Sequence, residues 1–177
     1  MNQNEKRVFL IERLLKEQPG YAKMQIPDRI DEQKTMLRSL MNIRRPMPIG
    51  DDFLAVQDEY LQAEIKEKGI TDLSDLTPIS GDIYLWQGDI TTLRCDAIVN
   101  AANFEMPGCF CPCHGCIDNA IHTFSGVQLR LECAEIMQKQ GCSEPVGKSY
   151  SDLLKLVSDK DYFVLTTNVC LFVYSSS

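Results

Sequence analysis

Five side chains able to bind a soft metal ion fall within eight residues: Cys109, Cys111, Cys113, His114 and Cys116, spaced C-x-C-x-C-H-x-C. They sit in a longer stretch, residues 88–122, GDITTLRCDAIVNAANFEMPGCFCPCHGCIDNAIH, which also holds Cys95 and His122. Thiolates and an imidazole are the donors Zn²⁺ prefers, and a tetrahedral site takes four. Neighbours in a loop face different ways, so all five cannot point at one ion. Structural zinc sites generally use two ligand pairs across a longer spacer, and no distant second pair stands out here. Three protein ligands with an open position would make a catalytic zinc. A closed structural zinc borrowing a remote cysteine, an iron–sulfur cluster, or reduced thiols without metal are the other readings of this spacing.

Compartment bears on that choice. The start MNQNEKRVFLIERLLKEQ carries charges every few residues, with no apolar run of signal-peptide length, and no segment approaches a bilayer span. The expectation is a cytoplasmic protein with no membrane partner. Its thiols would then stay reduced, and clustered cysteines read as metal-binding or catalytic before they read as disulfides. The net charge of −7 over 177 residues includes no basic stripe, which argues against nucleic acid. An anionic small molecule could still be held by N–H groups at a helix start.

Residues 1–76 read as an α-helical N-terminal extension. Val8, Ile11, Leu14 and Leu15 repeat at helical spacing until Pro19-Gly20. Ile30, Leu37, Leu40 and Met41 mark a second helix that stops near Pro46 and Pro48. A third, capped by Asp51 or Asp52 and ended by Gly69, presents Phe53, Val56, Tyr60, Leu61 and Ile65. These stripes face a core, and the extension is assigned no chemistry. From Ile83 the pattern changes: residues 83–86 and 97–99 are short apolar runs that suit strands buried in a sheet. Residues 118–124 and 127–140 read as helices, the second with Leu129, Cys133, Ile136 and Met137 on one face and Gly141 as its stop. Strand, loop and helix in alternation predict an α/β layered fold with ligands at the carboxyl ends of the strands.

GDITTL, DAIVNAAN and GCFCPCHGCIDNAIH, in this order, resemble the zinc-dependent macrodomain family, in the branch associated with sirtuins. ISGDIYLWQGDI, at the end of the helical extension, is similar too, and the match covers roughly residues 1–140. The resemblance implies a three-layer mixed sheet with helices on both faces, the α/β macrodomain-like fold. It also implies binding of ADP-ribose and zinc-dependent removal of mono-ADP-ribose from modified protein side chains. Asp89 would then hydrogen-bond the adenine amino group with Ile90 alongside. Asn103 would lie near the distal ribose as the catalytic residue. The family's C-x4-H-x-C ligands fall on Cys109, His114 and Cys116, leaving Cys111 and Cys113 as bystanders or rivals. Cys116, Ile117, Asp118 and Asn119 would offer backbone and side-chain groups to the diphosphate and ribose. Implied partners are ADP-ribose or a mono-ADP-ribosylated protein, and a sirtuin-type ADP-ribosyltransferase. The residues themselves also allow plainer roles: Asp89 and Asn103 as turn formers, and His122 as a helix-face residue.

After about Pro145 the resemblance stops. The family continues with further strands and a glycine-rich phosphate loop near a Ser-x-Gly pattern, whereas this chain reads SYSDLLKLVSDKDYFVLTTNVCLFVYSSS. Part of that stretch is similar to the segment of a sirtuin leading into its T-x-N-x-D motif, with Cys170 at the Asp position. The organisation expected is therefore an extension (1–76), the N-terminal part of a macrodomain with the zinc motif (77–147), and a divergent sirtuin-like tail (148–177). Within the tail, residues 151–157 would form a short helix and 162–167 a strand. An incomplete sheet would leave an open edge and impair activity. The alternative function is a non-catalytic ADP-ribose-binding or zinc-stabilised interaction module.

Overall fold

In a computed structural model, the chain is described over residues 1–21, 23–81, 83–95 and 98–143, and as backbone alone at 149–150 and 164–166. Three helices open it: α1 (Gln3–Glu17), α2 (Ile30–Ile43) and α3 (Asp51–Lys68). The start of α1 is fixed by a capping box. The Asn2 side chain accepts from the Glu5 N–H at 2.9 Å, and the Glu5 carboxylate accepts from the Asn2 N–H at 2.8 Å. Most of the apolar stripe positions meet as expected, burying Leu10, Ile11, Leu14, Leu37, Leu40, Met41, Phe53, Tyr60 and Leu61 in one core; Ile30, at the first residue of α2, is instead 52% exposed. Burial, with the Glu64 charge added, pushes the Tyr60 phenol up to about 12. Two arginines are buried in this half with their donors engaged. Arg7 donates to Gln33 Oε1 at 3.0 Å and to Asn4 Oδ1 at 2.9 Å. Arg44 grips both Glu17 carboxylate oxygens at 2.7 and 2.9 Å.

The cap expected for α3 is corrected. Gly50 is the N-cap, and neither Asp51 nor Asp52 is in the capping position; Asp52 instead takes Arg13 of α1 as its ion-pair partner. Both acids still lie in the first turn, where the helix dipole favours them. Gly69 ends the helix at φ +91°, as its place in the sequence implied.

Beyond α3 the chain is α/β. β1 (Thr71–Asp72) runs parallel to β4 (Leu93–Arg94), and β2 (Pro78–Ser80) pairs antiparallel with β3 (Ile83–Tyr84). β5 (Val99–Ala101) pairs in parallel with β7 (Val164–Thr166), and β6 (Ser149–Tyr150) is antiparallel to β7. The result is a mixed sheet in the order β5-β7-β6. The strand expected at 162–167 thus has its described part in β7. The helix expected at 151–157 lies outside the described residues. The run at 83–86 departs from the expectation of a buried strand: Ile83 is 60% exposed and Leu85 80%. Only two of its residues join a ladder, in a two-stranded hairpin, and none of its side chains is buried. An apolar run of this length signals a strand but does not by itself fix burial.

α4 (Ile117–Phe124) and α5 (Val127–Gln140) complete the fold, and a second, smaller core gathers Leu93, Cys95, Ile98, Met106, Ile121, Leu129 and Cys133. The α4–α5 corner is fastened to α3 through Gln57, which accepts from the Val127 N–H at 3.0 Å and donates to Gln128 Oε1 at 2.7 Å. Gly126 turns that corner at φ +79°, and a Cβ there would lie 2.3 Å from Gln57 Nε2. Glycine is required at this position on both counts.

Candidate metal centre

The loop that leaves β5 carries the thiols and ends at the N-cap of α4, which is Cys116 itself. Its sulfur accepts from the Asn119 N–H at 3.4 Å. The ligand atoms of Cys109, His114 and Cys116 all lie within 4.8 Å of one another. Donors on a tetrahedral Zn²⁺ at ~2.0–2.3 Å are about 3.5 Å apart, so modest side-chain rotation would close this group on one ion. The donor set, two sulfurs and an imidazole, fits zinc. Burial pushes the Cys116 thiol up, and the neighbouring Cys109 adds to that, against the helpful Asn119 N–H. His114 is exposed and the two cysteines half-buried, so one side of the group faces outward.

Cys111 and Cys113 fall outside the group. Cys111 is exposed. Cys113, at φ +50°, turns toward α2: its sulfur lies 3.1 Å from Ser39 Oγ and 3.5 Å from the Thr35 carbonyl. Its N–H donates to Asn42 Oδ1 at 2.9 Å, while Asn42 Nδ2 donates to Thr123 Oγ1 at the same distance. Arg38 reaches from α2 as well, donating to the His114 carbonyl at 3.1 Å and to Asn119 Oδ1 at 2.8 and 3.3 Å. From α5, Arg130 donates to the Cys109 carbonyl at 3.1 Å and to the carbonyls of Met41, Asn42 and Arg44 at the end of α2. None of these anchoring residues had a sequence signal as a site residue. The apolar stripes mark the helices, but nothing local says which polar neighbour of the α2 stripe meets a loop more than 70 residues away.

Two residues expected to offer side chains to a ligand are turned inward. Asp118 is buried and accepts from Asn100 Nδ2 at 2.7 Å; burial raises its carboxyl, opposed by Asn100 and Arg130. Asn119 is wholly buried, held by Arg38 and donating to the Cys111 carbonyl at 3.0 Å. Their polar groups are thus bonded to β5, the loop and α2. Ile117, at the start of α4, is exposed. His122 is a helix-face residue, as its spacing implied, and it is buried with neither ring nitrogen hydrogen-bonded. Burial, then the Arg130 charge, push it down to about 3, so the ring is neutral. It supports the loop: Gly108, at φ +86°, lies so close that a Cβ would sit 2.5 Å from its Cδ2.

Asn103 is exposed and shapes the loop, accepting from the Glu105 N–H at 2.9 Å and donating to the Gly108 carbonyl at 3.4 Å. Asp89 caps the 3-10 turn Ile90–Thr92: its Oδ1 accepts from the Thr91 N–H and hydroxyl at 3.0 and 2.6 Å. Its Oδ2 takes Lys68 Nζ at 2.9 Å. Burial opposes ionisation of Asp89, but the Thr91 and Lys68 bonds outweigh it and hold the carboxyl below its ordinary value. The same ammonium lies 3.6 Å from the centre of the Phe124 ring. Asp89, Lys68 and Phe124 line a groove of about 570 Å³ with Arg38, Met41 and Tyr60, and Cys113 borders it. That volume is in the range of small-molecule sites.

Residues 99–153 match the Macro domain family. The chain is 60% identical over 151 residues to the protein-ADP-ribose hydrolase of Treponema medium, a match covering 83% of this chain and 58% of that protein. It is 47% identical over 142 residues to the protein-ADP-ribose hydrolase of Staphylococcus aureus strain Mu50, covering 80% of this chain and 53% of that one. A Fusarium oxysporum f. sp. cubense protein named "Probable bifunctional ADP-ribose hydrolase/ADP-ribosyltransferase" is 42% identical over 117 residues, 60% of this chain and 20% of its own length. The chain thus spans little more than half of the two bacterial relatives. These matches are longer than the matched family region and extend to its N-terminal side. By that match and those relatives, the chain is similar to the Macro domain family over residues 99–153 and, over most of its length, to bacterial proteins named protein-ADP-ribose hydrolase.

Proposed function

We propose that the chain holds Zn²⁺ through Cys109, His114 and Cys116 and acts in the hydrolysis of mono-ADP-ribose from modified protein side chains. One observation carries the reading: three soft donors converge within 4.8 Å at the start of α4, one fewer than a closed tetrahedral site needs. The names of the bacterial relatives supply the substrate class. Bound there, Zn²⁺ would act as a Lewis acid on a ribose hydroxyl or a water.

The chain's own residues supply position. In this reading the N–H groups at the start of α4 receive the diphosphate, which suits a site with no free cationic cluster in its loop. Asn103 stands at the loop entry, where its amide would orient the distal ribose beside the scissile bond. Asp89 accepts a hydrogen bond from the adenine amino group through Oδ2, the oxygen now bonded by Lys68, while Ile90 lies alongside the base. The reaction that must supply such a substrate is ADP-ribosyl transfer to a protein, and the Fusarium relative's name joins both activities in one chain. A reducing compartment, the cytoplasm, suits a site built on thiolates. Among the described residues no helix is long and apolar enough to cross a membrane.

The test is metal content and turnover on one preparation, using a mono-ADP-ribosylated peptide and counting released ADP-ribose. The expected result is one zinc per chain, with turnover reduced at least 100-fold in Cys116→Ser and by chelation. Zinc and ADP-ribose binding without turnover in the unsubstituted chain would favour a non-catalytic binding module. Unchanged turnover in metal-free protein would overturn the zinc assignment.

A further inference from the structure

We propose that Arg38, in the helical extension, is a positioning residue of the metal centre. It would set the geometry of the ligand loop from outside and thereby the affinity for the metal. The inference rests on the zinc reading above.

The loop between Cys109 and Cys116 has little structure of its own. Among the described residues its internal backbone bonding is one contact, the His114 N–H to the Cys111 carbonyl at 3.3 Å. A segment of this kind takes its conformation from whatever it docks against. Arg38 touches one of the three proposed ligands, His114, directly and is linked to a second, Cys116, through Asn119. One terminal nitrogen, Nη2, donates both to the His114 carbonyl at 3.1 Å and to Asn119 Oδ1 at 2.8 Å, and Nε adds a third bond to Asn119 at 3.3 Å. Asn119 in turn donates its backbone N–H to the Cys116 sulfur and its side-chain amide to the Cys111 carbonyl. His114 and Cys116 are therefore held in mutual register by one planar guanidinium. A lysine, with one compact ammonium, cannot reproduce that fork. The platform behind it is rigid, because Leu37, Leu40 and Met41 on the same helix are buried in the N-terminal core.

Groups that orient metal ligands without touching the ion typically change affinity by ~10–100-fold when removed. The experiment is a chelator-competition titration with Co²⁺ alone on the full chain, wild type against Arg38→Met and Arg38→Lys. The visible ligand-field bands and far-UV circular dichroism are recorded on the same samples. The expected result is affinity lower by about 10–100-fold in R38M and by a smaller factor in R38K. The ligand-field bands shift while helicity stays unchanged. Equal affinity and identical bands in wild type and R38M would overturn the inference and leave the zinc reading standing. No Co²⁺ binding in wild type would overturn both. If R38M loses its helicity, R38K decides alone: weaker binding with shifted bands supports the role, and wild-type behaviour removes it.

Discussion

The two halves of this molecule are ordered by different means. Residues of α1, α2 and α3 hold one another through an apolar core assembled from stripes at helical spacing. The loop and strands that follow have, among the described residues, short ladders and a smaller core. Their fixation depends on side chains such as Arg38, Asn42, Gln57 and Arg130 donating to, or accepting from, backbone groups. The first half is thus a platform and the second a site mounted on it. A hydrophobic stripe is non-directional and tolerant, whereas a side chain aimed at one carbonyl tolerates little displacement.

Damage to the platform should be the costliest change. Phe53→Ala removes a wholly buried ring from the helical core, and we expect about 3–5 kcal/mol of lost stability in denaturant titration. If the halves are coupled as described, metal binding and helix melting will fail at the same denaturant concentration; two separate transitions would break the comparison. Asn42→Ala comes next. It strands the Cys113 N–H and removes the bond that the Thr123 hydroxyl accepts, leaving its donation to the Asn119 carbonyl, at an expected cost of about 1–3 kcal/mol, and weakens metal affinity as well. A stability loss without any change in affinity would show that this anchor serves the platform only.

His122 gives a pH signature. Its folded pKa of about 3 lies below the unfolded value of about 6.5, so the unfolded chain takes up the proton first. The contribution to stability is therefore complete above pH ~6.5 and declines as pH falls toward 3, with a slope of up to about 1.4 kcal/mol per pH unit. His122→Phe should flatten that limb in metal-free protein; an unchanged slope would assign acid sensitivity elsewhere. The smallest effect belongs to Lys68→Met. An exposed ion pair is worth about 0–1 kcal/mol, so freeing Asp89 Oδ2 should tighten ADP-ribose binding no more than about fivefold in calorimetry. Weaker binding would mean that Lys68 itself meets the ligand.

Sequence alone shows the platform far more fully than the mounting. The helices, the face of α5 and the stops at Gly69 and Gly141 follow from periodicity and glycine, because those signals are local. The Cys109–His114–Cys116 group is singled out by the family resemblance, since spacing alone leaves five donors open, and the structure brings these three ligand atoms within 4.8 Å of one another. What local pattern does not reveal is direction. Asp118 and Asn119 have the chemistry of ligand-facing groups, yet their side chains are taken up by Asn100 and Arg38, one of them 81 residues away. The capping of α3 is similar: two acids stood at the right place, but Arg13 on another helix engages one of them. The exposed apolar run near Ile83 shows that hydrophobicity predicts an extended segment better than it predicts what will cover it.

The span between anchor and ligand also has a consequence for synthesis. Arg38 lies 76 residues before His114, and Asn42 lies 71 before Cys113. A chain made from its N-terminus therefore presents the docking face well before the thiols emerge. Helix–helix contacts of low sequence separation form quickly, and the distant parallel pairing of β5 with β7 follows slowly. The cysteine loop consequently meets a surface already formed. The interval in which several neighbouring thiols are unconstrained, and open to capture by a wrong metal or an oxidant, is kept short by the order in which the residues are written.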